Sequence, residues 1–147
     1  MKRRFIYLLP ALLVLTILAT GCLKNSNPPP IPYPTGTFNG QFRLLHKKLS
    51  ETKVDTLKQA NIQLVLETGM TFKVLGDTTT VHAGSKGQYG INSAYMAFSD
   101  DTNPKTGTPE KIHLYGNYSY IYDGSTLVIL AVQGDTINYR YDLKKVN

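Results

Sequence analysis

From Phe38 onward, apolar residues recur at every second position, and this alternation constrains the fold more than any other feature of the chain. A period of two sends successive side chains to opposite faces of a strand, one face toward a core and the other toward water. The clearest case is the last stretch, where Ile137, Tyr139, Tyr141 and Leu143 alternate with Asn138, Arg140, Asp142 and Lys144. Phe38, Gly40, Phe42 and Leu44 follow the same rule, as do Ile62, Leu64 and Leu66 against Asn61, Gln63 and Glu67. Thr68-Gly69 supplies a turn, and Phe72 and Val74 continue beyond it.

The second half repeats the pattern. Tyr89 and Ile91 before Asn92-Ser93, and Tyr95 to Phe98 after it, read as a hairpin. Ile112, Leu114, Tyr118 and Tyr120 fall on one face of a long strand. Asp123-Gly124 is the strongest turn signal, because both residues tolerate the positive φ of a two-residue hairpin turn. The nearly all-apolar run Thr126 to Val132 reads as a strand covered on both faces, and Gly134-Asp135 makes the next turn. A helix fits only between Lys47 and Lys58, where Thr52, Val54 and Thr56 are poor helix formers. The expectation is an all-β fold of about eight antiparallel strands, as a sandwich or barrel. Sequential hairpins favour the up-and-down barrel, which leaves no exposed edge.

The N-terminal end obeys a different logic. Lys2, Arg3 and Arg4 precede an apolar stretch from Phe5, which leads into Ala19-Thr20-Gly21-Cys22. A basic start, a short apolar core and small residues at a cut site make a signal peptide. A membrane span needs about twenty apolar residues, whereas this run is shorter and contains Pro10. The small-small-Cys ending resembles the lipobox of bacterial lipoproteins. That resemblance implies cleavage before Cys22, lipidation of its thiol with acylation of the new amine, and a membrane anchor of three acyl chains. Two or more chains hold a protein firmly, where one binds marginally. The domain plan is then a removed signal over 1–21, a tether over 22–34 and one folded domain over 35–147. The tether, from Leu23 to Pro34, is polar and carries five prolines, so it favours an extended spacer and cannot build a core.

Lipidation of Cys22, the single cysteine, leaves no thiol for a disulfide, a nucleophile or a metal site. The formal charge of +6 falls to about +3 once the signal is removed, and the remaining basic residues are scattered. Nucleic acid is therefore not an expected partner, since its binders carry a clustered basic stripe or a known motif.

The order Gly36-Thr37-Phe38, a meander of eight strands and a final Tyr141-Asp142-Leu143-Lys144-Lys145-Val146 resemble the small lipocalin-like domains of bacterial lipoproteins, notably those of Bacteroidetes. Lipocalins carry Gly-x-Trp on the first strand, packed under an arginine from the last. The resemblance thus implies that Phe38 stands where that tryptophan would be and stacks on Arg140, closing one end of the barrel as a cation–π pair. An acidic residue after the lipidated cysteine directs sorting in such proteins. Leu23-Lys24-Asn25-Ser26 has none, which implies an outer-membrane protein, with the periplasmic face preferred and the cell surface as the alternative.

No catalytic signature stands out, and the expectation is a non-enzyme without cofactor or metal. His46, His82 and His113 lie far apart, while a zinc site needs three or four convergent ligands. His113, set between Ile112 and Leu114, reads as facing solvent. Ser99-Asp100-Asp101-Thr102-Asn103 lacks the spacing and terminal glutamate of a calcium loop and reads as ordinary loop chemistry. Gly84-Ser85-Lys86-Gly87 lacks the ending of a phosphate-binding loop, and Asp77 to Gly87 reads as a mobile connection. No Gly-x-Ser-x-Gly elbow is present.

The tyrosines are the remaining signal. Tyr115, Tyr118, Tyr120 and Tyr122 crowd one strand, with Tyr139 and Tyr141 on a neighbour. Inward rings with hydroxyls can line a cavity or simply pack. Two readings follow, since an eight-stranded barrel either fills itself or holds one small ligand. In the first, a small apolar or amphipathic molecule lies among Phe42, Leu64, Leu66, Phe72, Tyr118, Tyr120, Tyr139 and Tyr141. In the second, a filled barrel contacts another envelope component through an exposed apolar patch near Tyr115 and Tyr122.

Overall fold

The computed structural model describes residues 33–48, 52–134 and 136–146. The signal segment, Cys22 and the tether up to residue 32 lie outside the described residues, as does Asp135 of the Gly134-Asp135 turn. Eight strands follow one another: β1 Gly36–Lys47, β2 Val54–Leu66, β3 Thr71–Gly76, β4 Lys86–Ile91, β5 Tyr95–Asp100, β6 Gly116–Tyr122, β7 Thr126–Gln133 and β8 Ile137–Lys145. Each pairs antiparallel with the next and β8 pairs with β1, so the sheet is a closed up-and-down barrel. Every ladder lies within residues 36–145, and residues 32–147 form a compact unit by themselves.

The alternation in sequence is the alternation of the wall. Phe38 and Phe42 of β1, Ala60 to Leu66 of β2 at every second position, and Tyr141 and Leu143 of β8 are all buried. Closure brings backbones close together at the seam. A Cβ on Gly40 would sit 2.0 Å from the Asp142 carbonyl oxygen of β8, so a side chain there forces the two strands apart. On the outside of the same seam, Arg43 and Arg140 lie opposite each other in register and share the Asp142 carboxylate.

The barrel has two unlike ends. At one, the closed pole, tight turns join β2 to β3, β4 to β5 and β6 to β7, and both β1 and β8 have their outer ends there. Asp123 accepts hydrogen bonds from the Ser125 and Thr126 amides, and Asn92 does the same for Ala94 and Tyr95. Those bonds, with the Ser125 hydroxyl, hold the Asp123 carboxyl down at about 2. Gly124 has the positive φ of +99° that its turn requires. In the β2–β3 turn the left-handed residue is Met70, at φ 58°, and not the neighbouring Gly69. The other end, the mouth, carries the connections β1–β2, β3–β4, β5–β6 and β7–β8, of which residues 77–85 and 101–115 are long.

Three expectations are corrected here. Residues 112–115 do not continue β6; Ile112 bridges to His82 instead, so the two long mouth connections brace each other. The Ala83 amide donates to the Ile112 carbonyl at 2.8 Å and the Ile112 amide to that of Val81 at 3.0 Å. The Asp77 to Gly87 segment folds inward at its centre, with His82 fully buried and Ser85 nearly so. Strand β7 is fully covered on one face only: Leu127 and Ile129 are buried, whereas on the outer face Val128 and Leu130 are half-buried and Val132 is 60 % exposed. With Tyr95 and Ile121, it places large apolar side chains on the outer wall of β5–β7.

Candidate functional site at the barrel mouth

The interior holds side chains, not a cup. Phe72, Phe98, Tyr118, Tyr141 and Phe42 form an unbroken series of ring contacts across the barrel, with successive centroids 5.1, 5.7, 5.9 and 4.9 Å apart. Most of these meet edge to face, the arrangement aromatic quadrupoles favour. Phe42, Leu64, Leu66, Phe72, Tyr118 and Tyr141, six of the eight residues expected to line a cavity, are buried members of this core. The other two are half-buried at opposite ends. Tyr120 donates its hydroxyl to the Asn92 carbonyl at the closed pole, while Tyr139 donates to Gln133 at the mouth. The eight therefore do not surround one ligand space.

The expected stack of Phe38 on Arg140 is not formed. Phe38 points inward and lies opposite Lys145 in register, whereas Arg140 points outward, lies opposite Arg43, and binds Asp142. Positions of opposite parity face opposite sides of a strand, so the two side chains are separated by the barrel wall. Phe38 instead meets Tyr122 edge to face, with centroids 6.0 Å apart. Tyr122 itself bonds the Gly124 carbonyl, and of the two tyrosines expected on an exposed patch, Tyr115 is the exposed one.

Polar chemistry concentrates at the mouth. Among the described residues the buried polar or charged ones are His82, Ser85 and Asp100, and all three belong to this end. His82 Nδ1 lies 2.7 Å from the Ala83 carbonyl, so that nitrogen carries the hydrogen and donates it. Nε2, 2.9 Å from the Tyr141 hydroxyl, then accepts. Burial drives the His82 pKa down to about 4, against the pull of the Ala83 hydrogen bond, so the ring is neutral near pH 7. Burial also pushes the Tyr118 phenol up to about 12 and the Tyr141 phenol well above its usual value.

Asp100 ends β5 at an inward position, following Met96 and Phe98. Its carboxylate accepts from the Thr102 amide at 2.8 Å, the Thr102 hydroxyl at 2.6 Å and His113 Nδ1 at 2.7 Å. Burial works to raise its pKa, but the hydrogen bonds from Thr102, Ser85 and His113 outweigh it and hold the group below the usual carboxyl range. The Ser85 hydroxyl also accepts the Leu114 amide at 3.1 Å. Serine and histidine both address the carboxylate, so Ser85 has no base and this is not a nucleophilic triad. His113, expected to face solvent, has a side chain only 11 % exposed because Asp100 holds it.

Beside this network lies a cleft of about 500 Å³, lined among others by Lys111, His113, Tyr115, Tyr118, Gln133 and Tyr139. The β5–β6 connection supplies one wall and the mouth ends of β7 and β8 the other. Of the residues expected to bind a ligand, Tyr118 and Tyr139 reach it. Lys111, His113 and Asp100 were missed by the sequence reading. For Asp100 a signal existed: the alternation Met96, Phe98, Asp100 places a carboxylate in the inward phase of a strand. A charge at such a position needs a built partner.

No protein-family model, curated protein or solved structure matches this chain. The fold defines its class: a closed, eight-stranded, up-and-down antiparallel β-barrel with a filled interior and a polar, aromatic cleft at its mouth.

Proposed function

We propose that this protein is a lipid-anchored envelope lipoprotein with a lipocalin-like barrel that binds a small amphipathic molecule at its mouth, without catalysis. The observation carrying this reading is the mouth cleft itself, where tyrosine rings and hydrogen-bonding side chains converge over a solid core. Ligand sites combine this sort of apolar lining with a few placed polar groups. The anchor rests on the signal-like start and the lipobox-like ending at Cys22, and the outer-membrane, periplasm-facing placement rests on Leu23-Lys24-Asn25-Ser26.

Native against denaturing mass spectrometry of the full chain purified from its own membranes tests the reading. A discrete extra mass is expected in the wild type, lost on denaturation and absent from Thr108→Phe, which fills the cleft from its exposed rim. A bare mass in the wild type overturns mouth binding. For the anchor, an alkyne fatty acid fed to the cells labels the wild type and not Cys22→Ser; equal labelling of both overturns lipidation at this residue.

The second reading, a filled barrel that contacts another envelope component, draws on the outer wall of β5–β7, where Ile121 is 73 % exposed and Tyr95 and Val132 are exposed on the same outer face. It predicts a bare mass together with a retained protein that is lost on Ile121→Lys.

A further inference from the structure

We infer that the mouth cleft selects an anionic amphiphile, a molecule whose acidic head sits at Lys111 Nζ, beside His113, while its apolar body lies against the cleft's tyrosines. This deepens the binding reading above and rests on it.

The charge of the lining carries the argument. Lys111 carries the one fixed positive charge among the described residues that line the cleft, and no aspartate or glutamate is among them. Lys111 donates to the Thr78 carbonyl at 3.1 Å, which fixes its position but supplies no counter-charge. It has no carboxylate partner among the described residues, and two of its three N–H donors remain for a ligand.

His113 is prepared differently. Its Nδ1–H is committed to the Asp100 carboxylate, which sets the orientation of the ring and leaves Nε2 as its working atom. The ring lines the cleft, and Nε2 neither bonds to the protein nor is sealed from solvent: Arg43 Nε is the one buried side-chain nitrogen or oxygen among the described residues without a partner. The Asp100 side chain has no exposure, so its charge is held on Nδ1 and is not turned toward the cleft. An acid bound there gains charge-assisted hydrogen bonds from the Lys111 ammonium, stronger than neutral ones. A cationic ligand would meet the Lys111 ammonium with no carboxylate among the described lining residues to compensate it. Three tyrosines, Tyr115, Tyr118 and Tyr139, supply the apolar counterpart.

The test uses the self-contained barrel, residues 33–147, and two fluorescent dyes of nearly the same shape: anilinonaphthalene sulfonate, an anion, and N-phenylnaphthylamine, which is uncharged. The sulfonate is expected to bind about tenfold more tightly than the neutral dye. Lys111→Gln should shrink that preference while leaving neutral-dye affinity and the unfolding midpoint in place. Thr108→Phe should expel both dyes. Equal affinities in the wild type, or a preference that survives Lys111→Gln, overturn the anion assignment and leave mouth binding standing. Binding of neither dye, or binding indifferent to Thr108→Phe, overturns mouth binding and the assignment with it.

Discussion

The closed pole and the mouth are built from the same eight strands by different means. At the closed pole the inward residues Phe38, Leu66, Phe72, Leu127 and Leu143 are apolar and buried, and its turns satisfy their own amides through Asn92 and Asp123. Its turn hydrogen bonds are local, and what reaches across the barrel there is apolar packing, as Phe38 on Tyr122. At the mouth, His82 finds Tyr141 across 59 positions of sequence, and the two long connections hold each other through Ile112. Apolar packing tolerates interchange among residues of similar volume, whereas a buried polar group must keep its specific partner or bear its desolvation alone. Geometry is therefore more narrowly specified at the mouth, the end that carries the cleft.

Four changes would sharpen or break this contrast. Phe38→Ala, which empties the closed pole, should cost about 4 kcal/mol by urea unfolding while leaving dye binding at the mouth of the folded fraction intact. A loss under about 1 kcal/mol would show that the pole is not a tight core.

His82→Gln addresses the mouth through pH. The wild-type ring titrates at about 4 when folded, against 6.5 ordinarily, so the unfolded chain binds more protons between those values. Its contribution is complete above pH 6.5 and is lost as pH falls toward 4, about 3 kcal/mol in all. Glutamine does not titrate, so the variant's stability should be flatter across that window, whatever its stability at neutral pH. Unchanged slopes would remove His82 as the acid-sensitive group.

Asp100→Asn should cost about 2 kcal/mol, because the amide cannot replace every acceptor contact of the carboxylate. Hydrogen exchange should quicken at the Thr102 and Leu114 amides and not at the Ala94 and Thr126 amides; uniform quickening would mean that the two ends unfold together. The smallest effect is expected for Met70→Asn, a gain of about 0.5 kcal/mol, since asparagine tolerates the left-handed backbone that methionine occupies.

The same contrast marks what could be read from the chain in advance. The barrel was legible because period-two alternation and turns such as Asp123-Gly124 are local signals. In β8, Tyr141 and Leu143 are buried on either side of half-buried Asp142, although Ile137 to Arg140 are all half-buried. Even there, Thr126 to Val132 misled, since β-branched apolar content does not reveal whether an outer face is covered. The mouth was mostly illegible. Residues 77–85 have the composition of a solvated loop, and nothing near His82 announces that Tyr141 awaits it. The aromatic set was read correctly as inward-facing, but alternation cannot distinguish rings that line a space from rings that fill it. The cleft itself arises where two connections and two strand ends meet, a juxtaposition without a periodic signature.

Gly36 and Lys145, the outer ends of the first and last strands, emerge together at the closed pole, with Phe38 opposite Lys145 in register. A handle attached ahead of one or behind the other is thus placed at the far pole from the cleft. Immobilised on a sensor chip or displayed on a particle through either end, the barrel would turn its mouth outward with nothing in front of it. A binding measurement on such a surface samples the cleft directly, free of steric shadow from the support.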